Sequence, residues 1–362
     1  MVALALALTL AAGPGFAHAL PPAPVRLYRV AWQRSFVPLR PLERGPEEHG
    51  GVAFDPATGL AVFGTRDGWL HAVRADGSVA WEIEGRGAFG PPAIAGDTVY
   101  VGSADGRLFA IALPTGRERW RYQAGEDLST RPAVAHGAVL VASQQDTVFA
   151  VDAATGAWRW HHRRENKRAT FTIFGAAAVL AGPDAVYAAY SDGYAAALDP
   201  ASGAARWERQ IAPEGAHLDV DALALGGGRL YAAAQSGAVV AVDAATGEAR
   251  WSFAAPGAAQ LALAGDLVVV VTTANVHALA PEDGAVVWTA PLRGAPRGAP
   301  IVAGPWILVP AGAGGLRWIE AASGRTLRVF DPGTGVSGSP ALAGSRVYVL
   351  SNGGDLLALD LS

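Results

Sequence analysis

The feature that most limits what this chain can fold into is a cassette that returns about every forty residues. In its clearest form it reads Ala-Val/Leu-Asp-x-x-Thr/Ser-Gly-x-x-x-Trp, at 150–160, 197–207 and 241–251. Fuller copies run Val99–Trp120, Val139–Trp160, Val186–Trp207, Leu230–Trp251 and Leu267–Trp288. The first copy, Val62–Trp81, has a shortened turn at Ala75–Gly77, a degenerate copy ends at Phe330, and the last, Val347–Asp360, stops before its Trp. With Trp32, Trp81, Trp120, Trp160, Trp207, Trp251, Trp288 and Phe330 as anchors, the spacings are 49, 39, 40, 47, 44, 37 and 42 residues. A repeat of this length cannot bury its apolar face alone and must stack on its neighbours.

Inside a cassette, alternating apolar runs are separated by Asp-Gly or Ser-Gly turns, and the Asp-x-x-Thr-Gly turn precedes the Trp-bearing run. That is the pattern of a β-meander. The segment upstream supplies an inner strand marked by small residues and Pro, as in Phe89–Ile94, Thr130–Val134, Gly298–Ile301 and Gly338–Leu342. Small residues suit strands that converge on a crowded axis. The last copy lacks its outermost strand, whereas Val30–Arg34 is an orphan Trp strand with no cassette before it. Pairing the two closes a ring and leaves no long free edge. The chain is therefore expected to be all-β, an eight-bladed propeller of four-stranded antiparallel blades closed by the strand around Trp32. One Trp per blade at a fixed place reads as packing between sheets, and the Asp of each turn reads as a cap for its own turn.

Composition narrows the function. Net charge is −4 and Lys167 is the lone lysine, so nucleic acid is not an expected partner. There is no cysteine, which excludes disulfides, thiolate metal sites, cysteine nucleophiles and a lipidation cysteine. Residues 2–12 form a short apolar run followed by Gly-Pro-Gly and Ala17-His18-Ala19, the pattern of a signal peptide over 1–19, with 20–362 as one propeller domain. No stretch reaches the roughly 20 apolar residues of a membrane-spanning helix. The product is expected to be exported, periplasmic or extracellular, soluble and monomeric.

At the Asp-x-x-Thr/Ser-Gly-x-x-x-Trp cassette the sequence resembles the pyrroloquinoline-quinone-type propeller repeat family, over essentially all of 25–362. That family includes large quinoprotein alcohol dehydrogenases and BamB-type outer-membrane assembly factors. The dehydrogenases carry a much longer chain, a vicinal cysteine pair and a calcium site of Glu, Asn and Asp; this chain has no cysteine. Phe174–Val179 and Leu218–Asp221 look like the Phe-Gly-Ala-Ala and Leu-x-Asp-Val-Asp segments of the assembly factors. The resemblance then implies a partner surface with Leu218, Asp219 and Asp221, docking the periplasmic domain of the barrel-assembly protein. Where those factors carry Leu-x-Leu-Arg, this chain has the basic run 161–168, whose Arg163 and Arg164 are taken as partner-binding candidates.

The adjacent His161 and His162 would point to opposite faces of a strand, and no metal-binding spacing occurs, so no metal, cofactor or catalytic residue is expected. Neither a Gly-x-Ser-x-Gly elbow nor a phosphate-binding loop is present. Arg131 and Arg297 precede inner strands and are placed near a mouth of the central channel. The reading is a non-catalytic scaffold for protein binding in envelope or outer-membrane protein assembly. The alternative is a propeller that binds a quinone or another small ligand in its channel.

Overall fold

The computed structural model describes residues 27–38, 46–48, 50–164, 178–212 and 218–362. The signal-peptide segment, most of Phe174–Val179 and residues 165–168 of the basic run lie outside them. Among the described residues every regular element is a strand, and the strands form eight four-stranded antiparallel sheets. Blade 1 holds Val52–Asp55, Leu60–Gly64, Trp69–Val73 and Val79–Glu84, and blades 2 to 7 follow the same order in the chain. Blade 8 takes Ala341–Ala343, Arg346–Leu350 and Asp355–Leu361 from the C-terminus, and its outermost strand is Tyr28–Ser35. The orphan Trp strand thus closes the ring, and Trp32 lies opposite Ala358.

Each sheet has its apolar residues on both faces, because a blade is sandwiched between two neighbours. The second strands are accordingly buried throughout, as in Ala138–Ala142 and Val268–Thr272, while the fourth strands alternate. A register shift recurs between third and fourth strands, with Ala facing Trp just before it: Ala72 with Trp81, Ala110 with Trp120, Ala150 with Trp160, Ala197 with Trp207, Ala241 with Trp251 and Ala278 with Trp288. The bulge and the small partner give the indole room to leave its own sheet.

Where the indole goes explains the repeat. Its Nε1–H donates to a backbone carbonyl of the next blade at 2.7–3.1 Å, from Trp32 to Ala75 around the ring to Trp288 and Ala321. Its ring covers the glycine that ends that blade's turn between third and fourth strands, Asp-x-x-Thr/Ser-Gly in blades 3 to 5. Gly203, for example, has φ +73°, and a Cβ there would stand 2.5 Å from Trp160. Only glycine meets both demands. The turn itself is held by its Asp: Oδ1 of Asp152 accepts from the amides of Ala154 and Thr155 and from the Thr155 hydroxyl, and Oδ2 accepts from Arg159 at 2.7 Å. Asp199 with Arg206 and Asp243 with Arg250 repeat the arrangement.

One anchor is corrected. In blade 7 it is Arg328, not Phe330, that stands in the Trp register, opposite Trp318 across the same register shift. The reason is the neighbour: blade 8 has no Thr-Gly turn to receive an indole, because its third and fourth strands come from opposite ends of the chain. Tyr28 fills the seam instead, stacked on Trp318 at 4.7 Å, edge-on to Phe330 at 5.5 Å and under the Arg328 guanidinium at 5.7 Å.

Meander topology sorts the connections onto two faces. Turns from first to second and third to fourth strand, including every Thr-Gly turn, lie on one, here the latch face. Turns from second to third strand and the crossings between blades lie on the opposite face.

Candidate functional site

All the sequence-derived partner and channel residues belong to the opposite face. Their organising element is the turn Tyr190–Gly193 of blade 4, between strands Val186–Ala189 and Tyr194–Leu198. Gly193 donates to the Tyr190 carbonyl and so closes the turn.

From blade 3, Arg163 and Arg164 end the strand Trp158–Arg163 and approach this turn. Arg164 Nε donates to Asp192 Oδ2 at 2.9 Å, its Nη1 pairs with Glu208, and its guanidinium lies 3.9 Å over the Tyr194 ring. Burial works against this charge, but Asp192 and Glu208 outweigh it and raise the arginine pKa. Arg163 is more than half exposed and stands 3.8 Å from Glu126. His162 Nδ1 lies 2.7 Å from the Tyr190 hydroxyl. Burial lowers the imidazole pKa and pushes the phenol up, so the contact joins two neutral groups.

From blade 5, the segment opened by Leu218 meets the far side of the same turn. The Val220 amide donates to the Tyr190 carbonyl at 3.3 Å, and Leu218 Cβ would touch a Cβ on Gly193 at 3.4 Å. Asp219 is buried, and its carbonyl accepts from the Gln235 amide at 2.9 Å. Asp221 is the extra residue of a bulge in the inner strand, where pairing jumps from Val220 to Ala222. Burial first, then the charge of Asp219, push Asp221 up to about 7 against a hydrogen bond with Gln235. The basic and acidic segments, some fifty residues apart in the chain, are thus brought to two sides of one turn.

A cleft of about 110 Å³ opens between blades 3 and 4, lined by Gln145, Asp146, Arg163, Arg164, Tyr190 and Asp192. Asp146, Tyr190 and Asp192 were not singled out from sequence. Asp146 has φ +61°, in the left-handed region, where the corresponding turns of blades 1, 2, 4 and 5 carry Gly68, Gly106, Gly193 and Gly237. Its carboxylate reaches across the seam, taking the Ser191 amide at 3.0 Å and the Ser191 hydroxyl. Burial raises its pKa against those hydrogen bonds. That break in the run of glycines was a readable signal, since an L-residue is held there only by compensating contacts.

The two channel arginines separate. Arg297 is tied to Glu47 at 3.3 Å, and its carbonyl accepts from Gln260 at 2.6 Å. Arg131 extends instead toward the inner-strand starts of other blades. Among the described residues no group of three or more His, Asp or Glu could hold a metal ion, and no helix is long and apolar enough to cross a membrane.

The family model described as outer membrane protein assembly factor BamB matches residues 66–290 and 235–362. Among solved structures, BamB from Moraxella catarrhalis superposes with a TM-score of 0.77 at 20% identity, over 92% of this chain and 100% of that one. The computationally designed Ika8 protein gives 0.71 at 17% identity, over 88% and 97%. Quinohemoprotein alcohol dehydrogenase from Comamonas testosteroni gives 0.72 at 16% identity, over 93% of this chain and 77% of that one. At such identities these structures share the fold. No curated protein matches this sequence.

Proposed function

Because this chain belongs to the family of the outer membrane protein assembly factor BamB, we propose that it is an exported, non-catalytic scaffold that docks a periplasmic domain of the barrel-assembly machinery. The docking surface is the opposite face at blades 3 to 5, centred on the Tyr190–Gly193 turn. One observation supports this reading: two segments nominated on separate grounds, Arg163–Arg164 by the basic charge of their run and Leu218–Asp221 by resemblance, converge on that turn.

The parts divide the work. Arg164 is consumed by Asp192 and Glu208 and fixes the turn, so its contribution is positioning. Arg163, on the rim, offers its charge to a partner and tunes encounter more than residence. Leu218 provides apolar area on the far side of the turn, against Gly193. Asp221, neutral or charged near neutral pH, is suited to a partner cation, which would draw it into the charged form.

The test is calorimetric titration of the purified periplasmic domain of the barrel-assembly protein into the wild type, Arg163→Glu, and the Asp219→Asn/Asp221→Asn double variant. Reversal at Arg163 is expected to weaken binding about tenfold, with a steeper loss at low salt. Equal affinity in all three proteins, each folded as the wild type by circular dichroism, would sink this surface. Binding of pyrroloquinoline quinone with calcium, with no affinity for the periplasmic domain, would replace the scaffold by a ligand-binding role.

A further inference from the structure

The docking surface leaves Arg131 without a task. This residue sits in the crossing to blade 3, one position ahead of Pro132 and the inner strand Ala133–Ala135. Its guanidinium does not stay with its own blade: a Cβ placed on Gly51 of blade 1 would stand 2.9 Å from Nη2 of Arg131 and 3.4 Å from the Cβ atoms of Pro91 and Ser339. Gly51, Pro91 and Ser339 lie at the inner-strand starts of blades 1, 2 and 8, so Arg131 reaches along the wall of the central channel. It is exposed by surface area, yet enough protein surrounds it that burial lowers its pKa. Both hold for a side chain inside an open channel. No hydrogen bond or ion pair among the described residues engages it, whereas Arg297 is paired with Glu47.

A cation enclosed by protein walls yet open to solvent keeps its charge and its N–H donors available to a ligand that enters the channel. Gly51, whose Cβ position lies 2.9 Å from Nη2, is flanked by the small residues Pro91 and Ser339. Ser339 Oγ accepts from the Ala299 amide at 2.8 Å, so its own proton is available to a second acceptor.

We propose that the central channel, at the mouth on the opposite face, is an anion site in which Arg131 binds the oxygens of a small carboxylate or phosphate, with the Ser339 hydroxyl as a second donor. The planar fork of an arginine matches both groups by two parallel hydrogen bonds. This site is separate from the Tyr190–Gly193 surface, and either can fail without the other.

The test is calorimetric titration of the full protein with inorganic phosphate and, separately, with citrate, at ionic strength held constant by sodium chloride. One-to-one binding of at least one anion is expected, and the two arms identify the oxyanion preferred. Arg131→Ala should weaken it about tenfold or more, the scale of a lost charged hydrogen bond. Arg131→Lys should recover part of the loss, because it restores charge without the fork. Gly51→Ala supplies an independent check: its methyl would stand 2.9 Å from Nη2 and push the guanidinium aside without removing the arginine, and should weaken binding as well. If neither anion binds the wild type at millimolar concentration, or if Arg131→Ala binds as tightly as the wild type, the site does not exist.

Discussion

The two faces of this ring are built on opposite rules. On the latch face the same solution recurs: an indole over a glycine, an indole N–H on the neighbour's carbonyl, and an aspartate that ties its own turn. On the opposite face the links at blades 3 to 5 are of different kinds: Asp146 on Ser191, Arg164 on Asp192, His162 on Tyr190 and Val220 on the Tyr190 carbonyl. Repetition makes the ring, and departure from repetition makes a place unlike the rest of it. The faces even titrate in opposite directions. Arginine hydrogen bonds hold Asp152, Asp199 and Asp243 down to about 2, while burial holds Asp221 up at about 7.

The largest effect should come from breaking one latch. Trp160 is buried and bridges blades 3 and 4, so Trp160→Ala is expected to cost about 3–5 kcal/mol in chemical denaturation, the range for a large aromatic removed from a core. Next comes its receiving glycine. Gly203→Ala adds a methyl 2.5 Å from the indole at φ +73°, and a loss of roughly 2–3 kcal/mol is expected from overpacking and backbone strain together. If Gly203→Ala were neutral, the indole would not be what demands glycine there.

On the other face, Asp146→Ala removes the acceptor for Ser191 and keeps a non-glycine residue in a left-handed turn. A cost of about 1–3 kcal/mol is expected, while Asp146→Gly should be milder because the backbone strain is relieved. Alanine and glycine behaving alike would mean that the carboxylate alone decides the site.

The smallest and most diagnostic effect is pH-dependent. The folded-state pKa of Asp221 is raised, so the folded protein holds a proton that the unfolded chain has released between about pH 4 and pH 7. Stability from this group is therefore full below the ordinary carboxylate range and is lost as pH rises through about 7. The latch-face aspartates do the reverse: their contribution is present above the ordinary range and is lost as pH falls toward 2. Melting of wild type against Asp221→Asn across pH 5–8 should show the wild type losing more stability on alkalinisation. Parallel curves would remove Asp221 from this role.

What could be read from the chain follows the same division. Blade number, strand order and closure by the Trp32 strand were legible because turn residues and alternation are local signals that repeat. The segment 218–221 could be nominated by resemblance and 163–164 by its basic charge, but not their meeting, since contacts between turns of successive blades leave no periodic mark. The burial of Asp219 and the bulge at Asp221 were hidden for the same reason. Phe330 keeps the repeat's spacing from Trp288 but not its distance from the turn glycine. Four residues after Gly324 comes Arg328, as Trp160 comes four after Gly156, and the missing turn in blade 8 frees that position from being Trp. Asp146 could have been found, since it breaks a column of glycines.

The central claim, that the irregular face at blades 3 to 5 is where a partner docks, is tested most directly by hydrogen–deuterium exchange of the full protein with and without the periplasmic domain of the barrel-assembly protein. The account predicts slowed exchange in the segments around Arg163–Arg164, Tyr190–Gly193 and Val220–Asp221, with the Thr-Gly turns of the latch face unchanged. Protection confined to the latch face or to blades 6 to 8, or no protection at saturating partner, would contradict it.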